Sequence, residues 1–205
     1  NEALALAPEH ISVYGLIVEE GTPFAAAEAA GRLALPDEDA AEEMYDYLMA
    51  ELPAQGYRRY EISNFARAGY ESRHNLGYWQ NVPYLGVGAA AHGYIDGVRW
   101  GNETDARRYI RAIHAGEPVR TPEDAERTAA NAMEEYAFLA LRTAEGINEA
   151  DFYRTFGVSI DVVYSTVITQ QIKRNLLCRA QGHIALTAAG MKLGNEVFAA
   201  FLQEK

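Results

Sequence analysis

The chain has a single cysteine, Cys178, among 205 residues, which excludes an internal disulfide framework and any metal site built from several thiolates. So little cysteine suits a reducing compartment, and a cytoplasmic location is the expectation. Basic residues are also scarce: 18 Lys and Arg against 29 Asp and Glu give a formal charge of -11 and a pI near 4.9. Proteins that grip a phosphate backbone cluster Lys and Arg to displace its counterions, so no nucleic-acid partner is expected. The same sign disfavours anionic membrane surfaces. No apolar run approaches the ~18 residues of a spanning helix, and no basic segment leads into an apolar signal core at the N-terminus. Fixed repeats, low-complexity tracts, a GxSxG elbow and an HExxH helix are missing as well. The 49% hydrophobic content is ordinary for a globular chain and sufficient for one large or two small domains.

Against that background one stretch concentrates chemistry. His74-Asn75-Leu76-Gly77-Tyr78-Trp79 sets an imidazole, an amide, a phenol and an indole within one short segment. It is followed by Tyr84-Leu85-Gly86-Val87-Gly88-Ala89-Ala90-Ala91-His92-Gly93, whose small residues let backbone approach something closely. The set suits a flat, partly polar ligand: a neutral imidazole ligates metal or haem iron, and Tyr and Trp offer apolar faces with polar tips. Packing of the same three side chains in a half-buried turn is the competing reading. Arg73 has the planar fork that matches a carboxylate, while Glu71, Arg73 and His74 could equally pair with one another. The glycines lack GxGxxG spacing, so no dinucleotide fingerprint is present.

The rest of the chain reads as α/β followed by mostly α. Residues 1–8 read as the end of a helix, and His10 to Val18, a nearly continuous apolar run, as a parallel strand buried on both faces. Pro36-Asp37-Glu38-Asp39 opens a helix whose stripe is Ala41, Met44, Tyr45, Leu48, Met49 and Leu52, closed by Pro53 and Gly56. Tyr57 to Phe65 alternates as one strand, with Tyr60 and Ile62 on one face and Arg59, Glu61 and Ser63 on the other. Leu85 to Gly93 reads as a strand that continues through an Asp96-Gly97 turn into a hairpin. Helices follow from Thr104 and from Thr121-Pro122-Glu123-Asp124, then a short one with Phe152 and Phe156, then one striped by Ile160, Tyr164, Val167, Ile168 and Ile172. A hairpin turning at Gln181-Gly182-His183 and a last helix capped by Thr187 complete a winged-helix-like domain. The expected division is 1–102 and 103–205. Such folds often bind DNA, but few basic residues mark this one, so it reads as a lid or docking domain.

HNLGYW resembles the HNxxYW signature of the HemW branch of the oxygen-independent coproporphyrinogen III oxidase-like family of radical S-adenosylmethionine (SAM) proteins. HISVYGLIVEEGTPF, LPDEDAAEEMYDYL, YEISNFARAGYESRHNLGYW, YLGVGAAAHGY, FLALRTAEGI and ALTAAGMKLGNEVFAAFL are similar to that family in its order. The resemblance implies the last elements of a partial (β/α)6 barrel with cavity-lining strands, then a helical winged-helix-like domain. It also implies a CxxxCxxC motif holding a [4Fe-4S] cluster, which this chain lacks, so the chain reads as the C-terminal half of such a protein.

The resemblance further implies haem or porphyrin binding by His74, Asn75, Tyr78, Trp79 and Arg73, with His74 as ligand to the haem iron and haem-accepting proteins as partners. Ile17, Gly86, Gly88 and His92 would lie near SAM. No catalytic residue is expected in this half. Three functions stay open: haem delivery by a chaperone, oxidative decarboxylation of propionates by a coproporphyrinogen III oxidase, and a protein-docking module without ligand.

Overall fold

A computed structural model of the chain describes residues 2–122 and 128–202. They divide into two compact units, Asn1–Glu71 and Ser72–Lys205.

In the first unit a short helix α1 (Glu2–Ala5) precedes strand β1 (His10–Ser12), helix α2 (Pro23–Ala29), helix α3 (Glu38–Ala54) and strands β2 (Arg58–Arg59) and β3 (Asn64–Ala66). The strands form one sheet in the order β1-β3-β2, both pairings antiparallel. The expected parallel strand over His10 to Val18 is therefore shorter and antiparallel. Its nearest neighbour is the returning arm of a hairpin, and Tyr14, Leu16 and Ile17 beyond it are exposed. Tyr57 to Phe65 is likewise not one strand. It folds back on itself between Arg59 and Asn64, and the Tyr60 N–H donates to the Asn64 carbonyl at 3.1 Å. The cause is Glu61, expected on the strand face shared with Arg59 and Ser63 but 3% exposed, whose carboxylate accepts from the Ser63 N–H at 2.8 Å and from the Asn64 amide.

Asp37 caps α3 by accepting from the Ala40 N–H at 2.9 Å. Only Leu52 of the apolar stripe is fully buried, joining Tyr57 and Phe65 with Leu48 and Met49 packed alongside, while Met44 is exposed. The helix runs one residue past Pro53, to Ala54.

The second unit begins with helix α4 (Arg73–Trp79), so the HNLGYW stretch is helical rather than a turn. Strands β4 (His92–Ile95) and β5 (Val98–Asn102) form the expected hairpin through Asp96 and Gly97, with φ of 51° and 78°. The strand expected over Leu85 to Gly93 forms only from His92 onward, because Gly88 (φ 106°) and Ala90 (φ 59°) break the extended path before it. Helix α5 (Ala106–Ala115) is stopped by Gly116 in the left-handed region. Thr121 and Pro122 do not open a helix; they belong to strand β6 (Arg120–Pro122), which pairs antiparallel with β5. A sheet edge tolerates the proline's missing donor. Glu123 and Asp124 lie outside the described residues. The helix α6 (Ala129–Ala140) starts instead at Thr128, whose hydroxyl forms a reciprocal capping box with Asn131.

Strand β7 (Ile147–Asn148), helix α7 (Glu149–Phe156) and helix α8 (Ile160–Lys173) follow, capped by Asn148 and Ser159 as their short polar side chains allow. Strands β8 (Leu177–Ala180) and β9 (His183–Leu186) make the expected hairpin around Gln181-Gly182, and β7 pairs with β9 as a third strand. The expected last helix is broken at Leu193 into α9 (Ala188–Lys192), capped by Thr187, and α10 (Gly194–Ala200). Phe152, Tyr164, Phe201, Leu141, Ile147 and Ile184 are almost completely buried and form much of this unit's core. Each such side chain contributes roughly 1.5–3 kcal/mol by leaving water.

Candidate functional site

Ser72 sets the geometry of α4 by accepting from the Asn75 N–H at 3.3 Å. Residues four apart on a helix share a face, so His74 lies above Tyr78 and Asn75 above Trp79. The His74 and Tyr78 rings meet edge to face with centroids 4.7 Å apart, and Tyr84 meets Tyr78 in the same manner at 4.7 Å. Tyr94 follows at 6.4 Å. Tyr84 is fixed by a two-way backbone bridge to Tyr94, with N···O distances of 2.7 and 2.8 Å. The ladder therefore runs from an exposed imidazole down to the buried Tyr94 of the hairpin. His74 and Arg73 are exposed and Tyr78 is 37% exposed. Neither His74 ring nitrogen meets a hydrogen-bond partner, and Arg73 forms no ion pair, among the described residues.

The neighbouring face of α4 turns inward. Trp79 is half-buried beneath the guanidinium of Arg142, whose Cζ lies 4.9 Å from the indole centroid. Phe138 and Phe198 complete the box around that cation at 5.2 and 5.6 Å. The indole Nε1 of Trp79 and the Nε of Arg142 are both buried without an acceptor.

Arg99 fastens the ladder to α6. It stacks on Tyr94 at 4.7 Å, forms an ion pair with Glu135, and donates to the Asn81 amide oxygen at 3.3 Å and the Tyr84 hydroxyl at 3.5 Å. The Asn81 amide in turn donates to the Tyr94 hydroxyl at 3.1 Å. Burial works against the Arg99 charge, but the Tyr84 hydrogen bond and the Glu135 carboxylate outweigh it and hold its pKa above the ordinary value.

Gly86, Gly88 and His92 come together beside this hairpin. The Asn102 amide donates to the carbonyls of Gly88 at 2.8 Å and Gly86 at 3.4 Å, pinning the loop to β5. A Cβ on Gly86 would stand 2.0 Å from the His92 carbonyl oxygen, so the close approach the glycine permits is to the protein's own backbone. His92 is exposed at the start of β4. Ile17, 75% exposed, belongs to the first unit.

The sequence alone gave no role to Tyr84, Arg99, Glu135 or Arg142. Tyr84 and Arg142 fall inside stretches singled out for their resemblance, YLGVGAAAHGY and FLALRTAEGI, which was the available signal. Chemically, the outer face offers one imidazole free to ligate a metal, backed by stacked phenols. No group of three or more His, Cys, Asp or Glu placed to hold a metal ion occurs among the described residues. Cys178 is exposed on β8, with its thiol 3.6 Å from the Ala185 carbonyl, and supplies no ligand set for an iron–sulfur cluster.

A family profile described as the HemN C-terminal domain matches residues 128–193. Over all 205 residues the chain is 43% identical to a protein of Bacillus subtilis named haem chaperone HemW, covering 54% of that relative. A protein of Escherichia coli with the same name is 29% identical over the whole chain, which covers 52% of it. A mouse protein named radical S-adenosyl methionine domain-containing protein 1, mitochondrial, is 48% identical over 42% of the chain and 19% of its own length. The chain thus spans about half the length of the curated relatives it matches end to end. Among solved structures, a coproporphyrinogen III oxidase (HemN) of Escherichia coli, titled a radical SAM enzyme, superposes with a TM-score of 0.72 at 16% identity. That match covers 98% of this chain and 49% of the other, and it speaks for the fold alone.

Proposed function

The chain is HemW-like along its full length, and on that premise we propose that it provides the haem-handling part of a haem chaperone. His74 ligates the haem iron through a ring nitrogen, and Tyr78, held from behind by Tyr84, supports the macrocycle face. Asn75 and Trp79 shape the adjoining face of the same helix, and Arg73 stands exposed at its open end, on the ligand side. Haem then passes to an accepting protein. The observation that carries the reading is the exposed His74 imidazole, free of hydrogen bonds among the described residues and stacked on an aromatic ladder anchored in the β4–β5 hairpin.

In a longer protein of this kind, SAM and a cluster bound by an upstream CxxxCxxC would act beside this half, with Ile17, Gly86, Gly88 and His92 on the SAM side. We also retain, as part of the proposal, a barrel-derived region over 1–102 and a winged-helix-like docking domain over 103–205. The oxidase reading has behind it the fold likeness at 16% identity and the HemN C-terminal domain profile over residues 128–193.

The test is a haem titration followed by Soret absorbance, run on this chain and on His74→Ala and Tyr78→Ala. Saturable binding with a band that His74→Ala shifts or removes, and Tyr78→Ala weakens, is the expected result. Binding indifferent to both substitutions would remove the proposal.

A further inference from the structure

Arg142 is enclosed by three aromatic rings beside the HNLGYW helix, yet among the described residues it meets no carboxylate. Its guanidinium lies over Trp79, Phe138 and Phe198 at 4.9, 5.2 and 5.6 Å. A buried or half-buried arginine ordinarily draws a carboxylate or carbonyl, because five N–H donors left without acceptors in a desolvated site are costly. Here the Nε is buried and unpaired, and no hydrogen bond or ion pair engages the outer nitrogens among the described residues. The Nε1 of Trp79, a second buried donor without an acceptor, belongs to the same cluster. Neighbouring arginines of this unit behave differently. Arg99 has Glu135, Arg174 has Glu196, and Arg179 has both Glu149 and Asp161.

The stack also fixes the plane of the fork. Three rings around Arg142 restrict its rotation, so the outer N–H edge is held ready for a planar, two-oxygen acceptor. Arg73, by contrast, is exposed, with no ring stacked on it among the described residues. Trp79 ties Arg142 to the helix that carries His74 and Tyr78.

We propose that Arg142, rather than Arg73, binds a carboxylate of the tetrapyrrole, with the guanidinium stacked on Trp79 taking a propionate at its outer N–H edge. The inference rests on the haem-handling reading above and adds the residue that recognises the acidic side chain of the ligand.

The experiment compares mesoporphyrin, which is iron-free and carries two free propionates, with its dimethyl ester in the same detergent. Both are titrated against the full chain, with quenching of tryptophan fluorescence as the readout. The variants are Arg142→Gln, Arg142→Lys and Arg73→Gln, each checked for folding by its thermal melt. Arg142→Gln should weaken the free acid about tenfold and leave the ester unchanged, the scale of a charge-assisted bond. Arg142→Lys keeps the charge and the stem but loses the fork, and should recover only part of the loss. Arg73→Gln should lose less than Arg142→Gln. Equal weakening of acid and ester in both Arg142 variants would make the stack structural and overturn the proposal, as would a larger loss in Arg73→Gln. If neither compound binds the parent chain, the haem-handling reading fails and this inference with it. Binding of both, indifferent to Arg142, overturns this inference alone.

Discussion

Tyr84 stands edge-on to Tyr78, ring centroids 4.7 Å apart and planes at 85°, in the geometry that aligns a positive ring edge with a negative ring face. The two lie six positions apart in sequence, and no helical or strand period links them, so the contact is made by the loop that returns from α4 to β4. An aromatic pair of this kind contributes about 0.5–1.5 kcal/mol beyond its buried area. Tyr84→Leu should therefore lower stability by roughly that amount and weaken haem binding, while Tyr84→Phe keeps the ring and should behave much like the parent. Urea unfolding paired with the haem titration checks both.

The Arg99–Glu135 pair, with side chains only 24% and 22% exposed, should matter more than the chain's exposed pairs. Glu135→Gln leaves a partly buried cation with less compensation and is expected to cost about 1–2 kcal/mol, nearly independent of salt. Glu196→Gln breaks a pair whose side chains are 45% and 52% exposed, and its cost should stay within about 0.5 kcal/mol. Denaturation midpoints at low and high ionic strength compare the two.

Tyr164 is 2% exposed and its hydroxyl has no partner among the described residues. Removing an unsatisfied buried hydroxyl is neutral or favourable, so Tyr164→Phe should gain up to about 1 kcal/mol at neutral pH. Burial, with the Glu134 charge adding, pushes the phenol up to about 12. The folded phenol thus holds a proton that the unfolded chain releases near pH 10. The stability linked to that proton is complete below pH ~10 and is lost as pH climbs towards 12. Tyr164→Phe lacks this loss, so its advantage over the parent should widen between pH 10 and 12 in equilibrium unfolding.

Gly146 and Gly157 both take positive φ, 69° and 72°, but only the first is crowded. A Cβ at Gly146 would stand 2.1 Å from the Ile184 carbonyl oxygen, whereas one at Gly157 meets nothing within 4 Å. Gly157→Ala should cost about 1–2 kcal/mol for the left-handed backbone. Gly146→Ala should cost clearly more, because β9 must shift to admit the methyl. Thermal melts of the two variants separate strain from clash.

What could be read from the sequence follows how local each signal is. Asp96-Gly97 and Gln181-Gly182 announced their hairpins because positive φ at both turn positions is a two-residue matter. The ends of α7 are local in the same way, an Asn148 side-chain cap at one end and a left-handed Gly157 at the other. The fold-back at Glu61 was hidden because alternation carries one strand straight through that residue, and only its bonds to Ser63 and Asn64 turn the chain back. Thr121-Pro122 carried a helix-start signal that pairing with β5 overrode. At the site, the HNLGYW residues were visible as a cluster. Their supports were not, since Arg99 reaches Glu135 across 36 residues and Arg142 lies 63 beyond Trp79. No local pattern encodes such partners.

The most direct test of the account is the haem spectrum of His74→Gly with and without added imidazole. Ligation of the iron by His74 predicts that the variant loses the parent's Soret band and that free imidazole restores it, because the missing ligand is one ring nitrogen and the aromatic ladder behind it is intact. A parent-like spectrum in His74→Gly without imidazole would contradict it.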